Sequence, residues 1–138
     1  MRKVKREVKI GNVTIGGNHP VAVQTMLCVP IKDIEGNMAQ AKRVAEAGCQ
    51  ILRASVPSLE DVRVVDAVKS AVDIPFVADI HFDYRIALAC VDAGADKIRI
   101  NPGNIGEDEN VRAVARACNA KNIPIRIGVN AGSLEKNI

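Results

Sequence analysis

Arg53, Arg99 and Arg126 each interrupt an apolar run, and each stands two or four residues from a second polar side chain: Ser55, Asn101 and Asn130. A fourth run, ending at His81, carries Asp79 and His81 two residues apart. Side chains alternate faces along a strand, so residues at even spacing share one face. Leu52, Ala54 and Val56 fall on the opposite face of the first run, as do Phe76, Ala78 and Ile80, Ile98 and Ile100, and Ile125, Ile127 and Val129 of the others. The chemistry of a face with three arginines is anion binding, because the planar guanidinium fork matches phosphate oxygens two at a time. Burying the same charges with no anionic partner is costly. A second use of the arginines is pairing with Asp79 and with glutamates on further strands. His81 can donate a proton or a hydrogen bond, or can serve as a structural side chain at a strand end. The segments Asn101–Gly106 and Asn130–Ser133 add glycines and, after the first, a helix start, which let backbone N–H groups approach a phosphate.

The elements that position these residues alternate along the chain. Val8–Ile10 and Val13–Ile15 predict a hairpin turning at Gly11-Asn12. Strands are then expected at Val21–Thr25, Ile51–Ser55, Pro75–Ile80, Lys97–Ile100 and Ile125–Val129. Helices are expected at Asp33–Ala47, after a Ser58 cap, at Asp83–Ala93 and at Glu107–Ala120, with glycines as stops. Ala47–Arg53 echoes Ala93–Arg99, and Asp73–Phe76 echoes Asn122–Ile125, two strand–helix units apart. The pattern predicts an α/β fold: a partial (β/α)8 TIM barrel of about five βα units, preceded by a short N-terminal hairpin. The polar face then looks into the barrel, and most of its charges lie toward the strand C-terminal ends, where this fold carries its active sites.

Composition narrows the function. Three aromatic residues, Phe76, Phe82 and Tyr84, are too few for base-stacking, and a net charge of +3 is modest, so no nucleic acid is expected. No membrane partner is expected either, for want of an apolar stretch of spanning length, and the N-terminus lacks a signal-peptide core, which predicts a cytoplasmic location. Arg2–Arg6 reads as a solvated basic tail. Cys28, Cys49, Cys90 and Cys118 are too far apart to make a C-x-x-C metal clamp, so no metal site is assigned. A closed barrel of this type needs about 250 residues. Residues 1–138 are therefore expected to be the N-terminal portion of a barrel domain, with raw strand edges that promote association.

Four stretches carry a family resemblance: Val13–Gly17 with Pro20–Met26, Val77–Leu88 (VADIHFDYRIAL), Ile98–Gly106 (IRINPGNIG) and Ile123–Lys136 (IPIRIGVNAGSLEK). They resemble the N-terminal part of the 4-hydroxy-3-methylbut-2-en-1-yl diphosphate synthase family of the non-mevalonate isoprenoid pathway. The resemblance implies an oxidoreductase that opens 2-C-methyl-D-erythritol 2,4-cyclodiphosphate reductively, loses a hydroxyl as water and yields the linear allylic diphosphate. It implies a cofactor, a [4Fe-4S] cluster on a C-terminal domain absent from this chain, whose cysteine ligands are not among those of this sequence. It implies electrons from flavodoxin or ferredoxin, and a homodimer in which the partner's cluster closes over the barrel mouth. Carried over by motif, the substrate-binding positions are Arg53, Arg99, Asn101, Arg126 and Asn130, and the catalytic positions beside the substrate are Asp79 and His81. The family's Thr/Asn-rich stretch after strand one is here Leu27-Cys28-Val29-Pro30-Ile31, a departure at that loop. The chain by itself is expected to be inactive. Two other readings are a diphosphate-binding barrel transferase of the dihydropteroate synthase type, and a non-catalytic truncated remnant.

Overall fold

Val8–Ile10 (β1) and Val13–Ile15 (β2) pair antiparallel, Val8 opposite Ile15 and Ile10 opposite Val13, in the computed structural model, which describes residues 5–129. Ile10 is fully buried against Ile51 and Val77, with Val8, Val13, Ile15 and Ala22 packed around them. The hairpin thus buries its apolar side at the starts of the strands that follow.

Those strands are Gln24–Met26 (β3), Ile51–Ser55 (β4), Phe76–Ile80 (β5), Lys97–Ile100 (β6) and Ile125–Ile127 (β7). They form one parallel sheet in the order β3-β4-β5-β6-β7. Between them run the helices Ile34–Glu46 (α1), Arg63–Ala71 (α2), Tyr84–Asp92 (α3), Pro102–Ile105 (α4) and Asp108–Ala120 (α5). This is a partial TIM barrel of the α/β class with a short hairpin in front. Among the described residues, no helix is long and apolar enough to cross a membrane.

One face of the sheet holds the core. Leu52, Ala54, Val56, Phe76, Ala78, Ile80, Ile98 and Ile100 are buried against Val64, Val65, Val68, Ile86, Ala87, Val91 and Val114 of the helices. Each fully buried aliphatic or Phe side chain contributes roughly 1.5–3 kcal/mol. The aliphatic composition suits it, because branched side chains fill the layer between parallel strands and helices. Asp96 ties three elements: its Oδ2 accepts from Lys69 Nζ at 2.7 Å and from the Phe76 backbone N–H at 2.8 Å. Gly48 and Gly94 follow α1 and α3 with φ of +101° at both, a conformation costly to an L-residue, which is why the two echoing segments end their helices alike.

Several boundaries differ from expectation for local reasons. β3 begins at Gln24, not at Val21, because ladder-like pairing starts only at Val23, whose own N–H is taken by the Gln50 side chain. There the Val23 carbonyl accepts from Gln50 N (2.9 Å) and Ile51 N (3.1 Å), and Val21 and Val23 stay exposed. Ser58 does not cap α2 directly. Its hydroxyl donates to Asp61 Oδ2 at 2.6 Å and accepts from Asp61 N at 3.3 Å, which closes a 3-10 turn (Glu60–Val62) that leads into α2 with no side-chain cap. The segment after β6 is a single helical turn, α4, not an open loop. β7 ends at Ile127, though Gly128 N still donates to Ile100 O at 3.0 Å.

Candidate functional site

The register sets the polar face row by row. Arg53 lies opposite Val77, and Val77 opposite Lys97. In the next row toward the strand ends, Ser55 lies opposite Asp79, Asp79 opposite Arg99, and Arg99 opposite Arg126. Directly paired residues share a face, so Arg53, Ser55, Asp79, Lys97, Arg99 and Arg126 line one surface.

Asp79 is 1% exposed and bridges two arginines. Arg53 donates to Asp79 Oδ2 through Nε at 3.2 Å and also through Nη2, while Arg99 Nη1 donates to Oδ1 at 3.3 Å. The side chains of Arg53 and Arg99 keep 22% and 15% of their exposure, so neither is fully sealed off from solvent. Pairing with Asp79 accounts for one charge of the two. Arg126 is exposed beside them. Lys97, which sequence reasoning did not single out, sits one row below. Burial holds its amine below the ordinary lysine range, and the neighbouring Arg126 and Arg53 push it the same way. Its even spacing from Arg99 was the available signal. Four cationic side chains therefore share a face with one carboxylate, and repulsion from Arg126 and Arg53 adds to the burial that lowers Lys97. An anion brought to this face relieves the repulsion.

At the strand ends, His81 Nε2 and Ser55 Oγ share a hydrogen bond of 3.0 Å. The exposed Phe82 ring stands 6.2 Å from the imidazole, centroid to centroid. Phe82 joins Lys97 as a residue of this surface not assigned from sequence, and Ser55, already placed on the polar face, gains a partner in His81. Asn101 is 2% exposed and caps α4, its Oδ1 accepting from Gly103 N at 3.0 Å. That oxygen is therefore committed to holding the α4 turn at the mouth. Asn130 and the rest of the Asn130–Ser133 segment lie outside the described residues. Below the polar face, a cavity of about 760 Å³ opens between the hairpin and the sheet, with Lys5, His19, Lys97 and Arg126 among its lining.

The departing loop is anchored from beneath. Gln40, buried on α1, accepts from the backbone N–H groups of Cys28 (3.0 Å) and Val29 (3.3 Å), and donates to Cys28 Sγ at 3.2 Å. Leu27 turns into the core.

The cysteines do not fit an iron–sulfur cluster. Cys49, Cys90 and Cys118 are buried in the helix-side core, and Cys28 is exposed at the other end of the strand system. Burial pushes the Cys90 thiol up to about 12 and that of Cys118 to about 11, away from the thiolate a cluster requires. Among the described residues, no group of three His, Cys, Asp or Glu side chains could hold a metal ion. With a thiol-specific reagent at about pH 8, Cys28 should label readily and Cys90 and Cys118 only after denaturation. Mass mapping of the labelled peptides checks this, and labelling of Cys90 in the folded protein would contradict the placement.

Comparison with known proteins agrees with the fold. The model of the GcpE TIM-barrel domain matches residues 5–138. The chain is 54% identical over 137 residues to a 4-hydroxy-3-methylbut-2-en-1-yl diphosphate synthase (flavodoxin) of Macrococcus caseolyticus, covering 99% of this chain and 37% of that protein. It is 54% identical over 138 residues to the protein of the same name from Caldanaerobacter subterraneus subsp. tengcongensis, covering 100% and 39%. The chain thus spans well under half the length of these curated relatives. Among solved structures, dihydropteroate synthase of Yersinia pestis superposes with a TM-score of 0.71 at 18% identity, covering 96% of this chain and 50% of that one. At that identity the likeness shows the barrel fold alone.

Proposed function

The chain belongs to the GcpE TIM-barrel family, and from that premise we propose that its polar face binds the cyclic diphosphate which the family converts to 4-hydroxy-3-methylbut-2-enyl diphosphate. The observation that carries this reading is the excess of cations at Asp79: Arg53 and Arg99 share a single buried carboxylate, with Arg126 and Lys97 beside them. A cyclic diphosphate supplies about two negative charges against the excess of cations on this face, and does so in the two-pronged geometry that guanidinium prefers. A neutral substrate leaves the repulsion in place.

Each residue has a part in the binding step. Arg53, Arg99 and Arg126 hold phosphoryl oxygens, and Asn101 holds the α4 turn at the mouth, with Asn130 a further binding position by the family motif alone. Asp79 fixes the two inner guanidiniums so that little ordering entropy is lost when the anion arrives. His81, steadied by Ser55, donates a proton to the hydroxyl that departs as water. The two electrons of the reduction come from outside this face, from a flavodoxin as in the names of the relatives. The cysteines described here do not fit an iron–sulfur cluster, so the group that would supply those electrons would be held by other residues. The 138-residue chain by itself then binds but does not turn over.

The test is anaerobic incubation of the isolated chain with the cyclodiphosphate and reduced flavodoxin, with binding followed by calorimetry and product by chromatography. Binding without product is expected. Turnover would refute the division of labour, and failure of a well-folded chain to bind would refute the site.

A further inference from the structure

Gly128 stands two residues after Arg126, on the same face, where any other residue would present a side chain. Its φ is not in the left-handed region, so backbone conformation is not what calls for glycine there. The space beside it is filled by Arg99. A Cβ at Gly128 would lie 2.5 Å from Arg99 Nη2, 2.7 Å from Nε and 2.9 Å from Cζ, so the guanidinium lies directly over the bare glycine. The backbone at this point is tied to the sheet, because Gly128 N donates to Ile100 O at 3.0 Å. The other end of the same guanidinium is fixed by Asp79 Oδ1, 3.3 Å from Nη1. Arg99 is therefore held between a carboxylate on one side and an empty Cβ position on the other.

We propose that Gly128 is a positioning residue for anion binding: its missing side chain lets the Arg99 guanidinium lie against β7 while it holds Asp79. This rests on the reading of the polar face as a diphosphate site, and it deepens that reading by naming what sets the aim of one arginine. A methyl group at position 128 moves the far end of a flexible side chain, not the core. The cost falls on where Arg99 points.

The experiment uses the natural polypeptide that carries this sequence, with inorganic diphosphate as the titrant, and compares wild type, Gly128→Ala, Arg99→Ala and the double variant. Gly128→Ala should weaken binding by about tenfold, as expected for a misdirected charged contact. In the Arg99→Ala background, Gly128→Ala should cause no further loss, because two residues that act through one contact are not additive. Should Gly128→Ala lower the melting temperature of wild type, it should not lower that of Arg99→Ala, which lacks the clashing atoms. A tenfold loss that repeats in the Arg99→Ala background, a melting deficit that persists there, or Gly128→Ala binding as tightly as wild type would each overturn the positioning role. If Arg99→Ala itself binds diphosphate like wild type, the anion site is what fails.

Discussion

Replacing Asp79 by asparagine should lower folding stability by about 3 kcal/mol, the cost of leaving buried charges without their counter-ion. The carboxylate is 1% exposed and serves two guanidiniums, whose side chains are 22% and 15% exposed. Removing its charge leaves both cations facing Arg126 and Lys97 across a partly desolvated surface. Chemical denaturation reads the loss. Inorganic diphosphate should recover part of it, because an anion bound at the same guanidiniums stabilises the folded state by mass action. A denaturation midpoint equal to wild type would contradict the bridging role. A loss that diphosphate leaves untouched would mean that Asp79 is structural and the arginines are not an anion site.

The face that makes this prediction possible was legible in the sequence because two simple regularities coincide. Parallel strands buried on one side must be apolar there, so a polar residue can recur only at even spacing. The alternation of Arg53 with Ser55, Asp79 with His81 and Arg99 with Asn101 is that signature, and the register places Ser55, Asp79, Arg99 and Arg126 in one row. Strands β4 and β6 and the hairpin fall on the expected residues, since their ends are marked by turn formers. What escaped is set by tertiary contacts. The start of β3 depends on the Gln50 side chain, whose Oε1 accepts from Val23 N at 2.9 Å. The α4 turn depends on Asn101 capping Gly103, a bond that uses the same amide that sequence reasoning assigned to a ligand. Lys97 was hidden because a lysine at the first position of a strand reads as a solvated end. Gly128 was hidden because the atoms that fill its space belong to a residue 29 positions earlier.

Removing Arg53 or Arg99 should cost about 2–5 kcal/mol in diphosphate affinity, as for breaking a desolvated charge pair. The two are not expected to be equivalent in shape of effect. Arg53 grips one Asp79 oxygen through both Nε and Nη2, so its loss also loosens the carboxylate. Arg99 touches the other oxygen once and lies against β7, so its loss leaves Asp79 held by Arg53. Arg126 is exposed, and solvent screening should make its contribution smaller, near the range of surface pairs at about 1 kcal/mol or less. Lysine at position 53 or 99 should not rescue, because a point charge cannot reproduce the planar fork.

The central claim is that these arginines recognise the diphosphate group rather than hold the barrel together. The measurement that tests it most directly is a calorimetric titration of the natural polypeptide carrying this sequence, as wild type and as Arg53→Ala, Arg99→Ala and Arg126→Ala. Each is titrated with the cyclodiphosphate and with the neutral tetrol that lacks the phosphates. The account predicts a loss of affinity for the cyclodiphosphate, larger for Arg53 and Arg99 than for Arg126, with binding of the tetrol unchanged. Affinity for the cyclodiphosphate equal to wild type in all three variants, or an equal loss for both ligands, would contradict it and make the arginines ion-pair partners of Asp79 alone.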